Sequence, residues 1–238
     1  MMLVVTTAVS ATNIFQEKDI QTSVPGDVFP KHYTRGSNWG VDQKQTWDDG
    51  YGLQLIPPNS FAQSFTPTKD TLTAISMEMF RAGNPPEPVE ITVSIRDNII
   101  GTDLVTIIKD TSVNPIERVA RWVLFDFEDI SVTPGSTYYI VVSANAGKLG
   151  HSYCWVFSSV DDLYTKGQAW SKENGTANWV KWLQNAYYPK DFCFKTYFKK
   201  PLDSLVLKNN ENLINLGVLS IVEQFPHMFP ILRPRLEY

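Results

Sequence analysis

The sequence predicts an all-β protein: a two-sheet antiparallel β-sandwich, jelly-roll-like, with a short C-terminal helical tail. Three observations carry this. Residues 61–198 form one long run of short segments in which apolar and polar residues alternate. Turn signals separate these segments at close to the roughly 8–12 residue spacing of sandwich strands. No segment in the run has a helical period. A single sheet would leave half of these apolar faces wet, so two packed sheets are expected.

The elements follow in order. Met1 to Ala11 holds the apolar run Leu3-Val4-Val5, then Val9-Ser10-Ala11, whose small residues suit a signal-peptidase site. It reads as the remnant of a signal peptide, although no Lys or Arg precedes Lys18. Residues 12–46 are polar and punctuated by Pro25-Gly26 and Arg35-Gly36-Ser37-Asn38, and read as a lead-in arm. The sandwich domain is expected over 47–198. Trp47 to Ile56 is a weak first strand, broken at Asp48-Asp49-Gly50. Phe61–Thr66 and Leu72–Phe80 are strands, and Ala82-Gly83-Asn84-Pro85-Pro86 is a turn because proline lacks the donor a central strand needs. Val89–Arg96 alternates cleanly, with Val89, Ile91, Val93 and Ile95 inward and Glu90, Thr92, Ser94 and Arg96 outward. Strands are also expected at Leu104–Ile108, Arg121–Phe127, Thr137–Ser143, His151–Phe157 and Phe192–Phe198. Lys199-Lys200-Pro201 opens a linker. Asn210 or Asn212 can cap a short helix through Leu213, Leu216, Leu219 and Phe225 that stops at Pro226, so 199–238 reads as linker and helical tail.

Composition narrows the function classes. Charged residues make up 19% of the 238-residue chain and aromatics 13%. The net charge of −4 comes with no Lys/Arg block, which argues against nucleic acid and against an anionic membrane surface. No apolar run approaches the ~18 residues that would span a bilayer. Together with the N-terminal run, this strand- and turn-rich composition points to a secreted or cell-surface protein.

Catalytic patterns are missing. His32, His151 and His227 lie in separate regions, and neither Gly-x-Ser-x-Gly nor His-Glu-x-x-His occurs. Asp126 and Asp129 read as the ordinary solvent face of a strand, so no enzyme and no cofactor is expected. Calcium is the one plausible ion, at Asp48-Asp49-Gly50, Asp97-Asn98 or Asp161-Asp162, though none has the spacing of a dedicated calcium loop. Zinc has no support.

Residues 155–188 carry the ligand signal. Tyr164, Trp170, Trp179 and Trp182 stand among Asp161, Asp162 and Asn178. Aromatic faces stack on the C–H faces of sugars while amides and carboxylates hold hydroxyls, yet tryptophans also fill cores. Two readings follow: a non-catalytic module that binds glycan or another surface polymer or mediates adhesion, or a structural spacer of a larger surface assembly. A calcium-dependent hydrolase accessory is a remoter alternative. Asn174-Gly175-Thr176 is an N-glycosylation sequon at Asn174. Cys154 and Cys193 fall on expected neighbouring strands, and export favours a disulfide between them, worth roughly 4 kcal/mol.

Several stretches together resemble a β-sandwich accessory domain common in secreted and surface-anchored bacterial and archaeal proteins. They are Ala62–Pro67, Thr92–Asp97, Gly101–Leu104, Phe125–Phe127, Val132–Val141 and Phe194–Tyr197, within residues 40–198. The resemblance implies neighbouring extracellular modules and a C-terminal anchor, no catalytic role and no site residues. The ending Phe225 to Arg233 resembles the tails of archaeal surface proteins.

Overall fold

The computed structural model describes residues 14–16, 38–112, 116–159, 162–173, 178–182 and 190–200. Its strands are β1 (Ile14–Gln16), β2 (Trp39–Gln45), β3 (Tyr51–Gln54), β4 (Ser60–Phe65), β5 (Thr71–Ala82), β6 (Glu90–Arg96) and β7 (Val105–Asp110). After these come β8 (Arg121–Ser131), β9 (Tyr138–Ala144), β10 (Ser152–Ser158), β11 (Ala169–Lys172), β12 (Val180–Lys181), β13 (Asp191–Phe192) and β14 (Phe194–Lys199). They form two antiparallel sheets packed together. The smaller runs β12-β11-β4-β9-β6-β7; the larger runs β1-β3-β10-β5-β14-β2, with β8 also on β5 and β13 on β10. The chain crosses between sheets at almost every connection from β3 to β11. The chain divides into two compact units, Met1–Lys199 and Lys200–Tyr238. Met1 to Ala11 and the expected helix lie outside the described residues.

Alternation builds the core. Ile91, Val93 and Ile95 are buried as their parity requires, against Phe61 and Phe65 of β4 and Ile140 and Val142 of β9. From the larger sheet come Ile75, Met77 and Met79 of β5 and Tyr153, Trp155 and Phe157 of β10. Trp155 stacks on Phe192 at 4.1 Å between ring centroids, and its indole N–H donates to the Cys193 carbonyl at 2.9 Å. On the opposite face of this sheet, Phe80, Ala82, Cys154, Val156 and Cys193 form a second buried cluster. Gly52 is needed there, because a Cβ would lie 2.3 Å from the Phe80 ring.

The lead-in region contributes more than an arm. Trp39–Gln45 is a strand on β14, and Ile14–Gln16 pairs with β3. Its apolar signal is faint because Gln43 and Gln45 take the buried positions. The Gln43 backbone N–H donates to Thr196 Oγ1 at 2.9 Å, and Gln45 Nε2 donates to the Trp47 carbonyl at 2.9 Å.

One polar tie crosses the core. Gln63 of β4 donates from Nε2 to Asp191 Oδ1 at 3.0 Å and accepts at Oε1 from the Phe192 N–H at 2.8 Å. Asp191 Oδ2 accepts from the Tyr164 N–H at 2.9 Å. Burial pushes the Asp191 carboxyl up from 3.8 to about 6, with Asp162 adding to the rise and the Tyr164 and Gln63 hydrogen bonds opposing it.

The expected disulfide does not form: Cys154 and Cys193 are both buried thiols. The Cys193 N–H donates to the Val156 carbonyl at 2.8 Å, and Phe157 pairs with Phe192. This register offsets Cys193 from Cys154 by a diagonal step of roughly 7–8 Å, whereas a disulfide needs Cβ atoms about 3.5–4.5 Å apart. Cys154 instead lies opposite Phe80 of β5. The Cys193 thiol turns toward the Trp47 carbonyl at 3.5 Å and the Gln45 amide at 3.7 Å. Burial, then the charges of Glu78, Asp48 and Asp49, push it well above the usual thiol range.

Two outcomes follow. A folded carboxyl with a raised pKa holds its proton longer than the unfolded one, so Asp191's contribution to stability is fully present below about pH 4 and is lost as pH rises through about 6. Asp191 should contribute roughly 1–3 kcal/mol to that fall. Denaturant unfolding of wild type and Asp191→Asn across pH 3.5–7 should show the slope only in wild type; parallel profiles would sink the assignment. Thiol titration should find the native protein unreactive and two reactive thiols per chain in guanidinium, matching the two cysteines of the sequence.

Candidate functional site

The outward parity of the smaller sheet builds a face unlike the core behind it. Its strands send out Ser60, Ala62 and Ser64 from β4, Thr92, Ser94 and Arg96 from β6, and Tyr139, Val141 and Ser143 from β9. β11 adds Trp170 and Lys172, and β12 adds Lys181. The register aligns them in rows. One runs Lys181, Trp170, Ala62, Val141, Ser94 and Thr106; the next runs Lys172, Ser60, Ser143, Thr92 and Ile108; a third sets Ser64, Tyr139 and Arg96 together. Small residues thus make up its centre, with Trp170 and the lysines toward the β11–β12 side and Tyr139, Arg96 and Ile108 on β9, β6 and β7.

Trp170 and Tyr139 come from the two strands that flank β4, and their rings meet edge-to-face at 6.2 Å and 73°. Ala62 and Ser64 lie between them and are 0% and 5% exposed, so the pair roofs β4. Both rings keep part of their surface open. The Trp170 indole N–H is covered and lacks a hydrogen-bond acceptor among the described residues.

The loop before β11 sets the position of Trp170. The Ser64 N–H donates to the Gln168 carbonyl at 2.9 Å, and the Gln168 N–H donates to Ser64 Oγ at 2.8 Å. Gly167 permits this approach, since a Cβ there would fall 1.9 Å from the Ser64 carbonyl oxygen.

The structure sorts the sequence-predicted residues. Trp170 and Trp179 are half-buried, and Asp162 and Asn178 are exposed. Trp182, 5% exposed, donates from Nε1 to Ser171 Oγ and packs edge-to-face on Phe61. Tyr164 is buried too; its hydroxyl donates to Gln43 Oε1 at 2.9 Å and accepts from the Thr66 N–H at 3.1 Å. Burial pushes the Tyr164 hydroxyl up to about 12, the Thr66 bond opposing, with Asp42 and Asp191 adding to the rise. Trp182 and Tyr164 therefore belong to the interior and cannot stack on a ligand. Asp161 and Asn174 lie outside the described residues. Trp179 directly precedes β12, whose pairing with β11 covers Trp170–Lys181 and Ser171–Val180. Sequence reading missed Tyr139, Lys172 and Lys181. The run of small outward residues opposite large inward ones on β4, β6 and β9 was the available signal.

The aspartates considered for chemistry have local tasks. Asp48 Oδ1 accepts from the Gly50 N–H at 2.9 Å, and Asp49 Oδ2 accepts from the Ser159 N–H at 2.9 Å. Asn98 Oδ1 accepts from the Ile100 N–H at 3.1 Å. Asp129 lies 3.6 Å from Lys199 Nζ. Among the described residues, no group of three or more His, Cys, Asp or Glu is placed to hold a metal ion, and no helix is long and apolar enough to cross a membrane.

Fold and face together define an all-β two-sheet protein with a partly open aromatic surface on one sheet. No known protein-family model matches the chain, and no curated protein is significantly similar to it.

The two tryptophan environments predict opposite stability effects. Trp182→Ala should cost about 3–5 kcal/mol, as for a large core side chain. Trp170→Ala should cost roughly 1 kcal/mol, because part of the ring already faces water. Denaturant melts of the two variants check this, and equal losses would place Trp170 in the core.

Proposed function

We propose that this chain is a non-catalytic extracellular β-sandwich module that binds glycan or a related surface polymer across the outer face of its smaller sheet. The observation that carries the reading is the partly open Trp170–Tyr139 pair standing over a floor of Ala62, Ser64, Ser94 and Val141. Because those floor residues are already covered, the surface left to a polymer is the open part of the two rings and the partly open hydroxyl row beside them. Ring faces at its edge offer surfaces for sugar C–H groups, and Ser60, Ser143 and Thr92 offer hydroxyls along the same face. Export is supported by the N-terminal apolar run, and the frequent crossing between sheets supports a jelly-roll-like path. The short C-terminal helix remains part of the same proposal.

The second reading, a spacer within a surface assembly, draws on the burial of Trp182 and Tyr164. One experiment separates the two. A glycan array on the full chain should identify bound polymers, and Trp170→Ala should weaken binding roughly thirtyfold or more while the fold survives. An array with no binding, or binding that Trp170→Ala leaves intact, would remove this face from the function and favour the spacer.

A further inference from the structure

Resting on the binding-face reading above, we infer that the polymer taken by this face is anionic: a polysaccharide bearing carboxylate or sulfate groups. The reason is a checkerboard of indoles and ammonium groups at the β11–β12 side of the sheet. Trp170 pairs with Lys181 across the two strands. Lys172 shares the outward parity of Trp170, and continuing the register past Ser171–Val180 would set Trp179 opposite it. Trp170 therefore has Lys181 opposite it on β12 and Lys172 two residues along its own strand.

Of these two lysines Lys181 is exposed and Lys172 half-buried. Among the described residues, neither Lys172 nor Lys181 is engaged in an ion pair. Glu173 has the inward parity of Ser171, and burial pushes its carboxyl up, toward the neutral form. Arg96, at the other side of the aromatic pair, is already committed to Asp103 Oδ1 at 2.5 Å and to the Ile99 carbonyl at 3.1 Å. Glu90 and Asp110 sit at the far β6–β7 end of the face. A local positive strip in a chain of net charge −4 directs a negative polymer to the aromatic edge rather than to the protein at large. Nucleic acid, the other polymer that combines charge with ring stacking, is disfavoured by the absence of any basic block in the sequence.

The test titrates the full chain with sodium polygalacturonate, a sulfated galactan, a neutral β-glucan and single-stranded DNA at rising salt. Polygalacturonate or the sulfated galactan should bind more tightly than the β-glucan, with affinity falling as salt screens the lysines. The double variant Lys172→Gln/Lys181→Gln should lose about tenfold in affinity. Lys44→Gln/Lys148→Gln, exposed lysines elsewhere, should match wild type, and Trp170→Ala should lose binding as well. The β-glucan bound equally well through Trp170, without salt dependence, would overturn the charge inference and leave the binding face standing. Equal affinity for DNA, or polyanion binding indifferent to Trp170→Ala, would also overturn it. No binding to any polymer would overturn the inference and the binding face together.

Discussion

The bond between Gln63 and the Asp191–Phe192 segment is the constraint on which the arrangement of the two sheets depends. Gln63 belongs to β4 of the smaller sheet, and its amide uses both its donor and its acceptor on the larger sheet. The hydrophobic core supplies the bulk of the driving force and, through Phe61 and Phe65, already fixes which side of β4 faces inward. The buried amide adds a directional requirement to that. A one-residue slip would turn Gln63 to solvent and leave the Phe192 N–H and Asp191 Oδ1 without their Gln63 partner in the interior. The tie adds little net stability, yet it selects one register.

The same strand governs the outer surface. When Gln63 points inward, Ala62 and Ser64 must point outward, and these are the two residues roofed by Trp170 and Tyr139. Ser64 also holds the loop that leads into β11, through both its backbone and its hydroxyl. Interior register, floor and aromatic rim are therefore consequences of one strand's position. Tyr164 extends the network by linking Asp191, Thr66 and Gln43, which ties β2 to the same corner.

That economy has an electrostatic cost. Asp191 is fully buried near Asp162, and its carboxyl is destabilised as a charge at neutral pH. The proposed binding face lies on the opposite side of the smaller sheet, where Lys181 is exposed and Lys172 half-buried.

The sequence by itself determined the all-β class, most of the strands and the inward set on β6, because a period of two residues is a local property that burial then enforces. It was weakest where the buried residues are polar. β2 escaped notice because Gln43 and Gln45, rather than aliphatic residues, face inward, and the short β11 and β12 are too brief to show a period. Only the tertiary structure decided which tryptophans are open. Trp170 and Trp182 have similar sequence surroundings, but parity on two neighbouring strands sends one outward and one into the core. It also decided the state of the cysteines, since a diagonal offset between adjacent strands depends on long-range register that no local pattern encodes. The pairing of Trp170 with Lys181 is more local: the two lie close in sequence, but they face each other only when β12 folds back on β11.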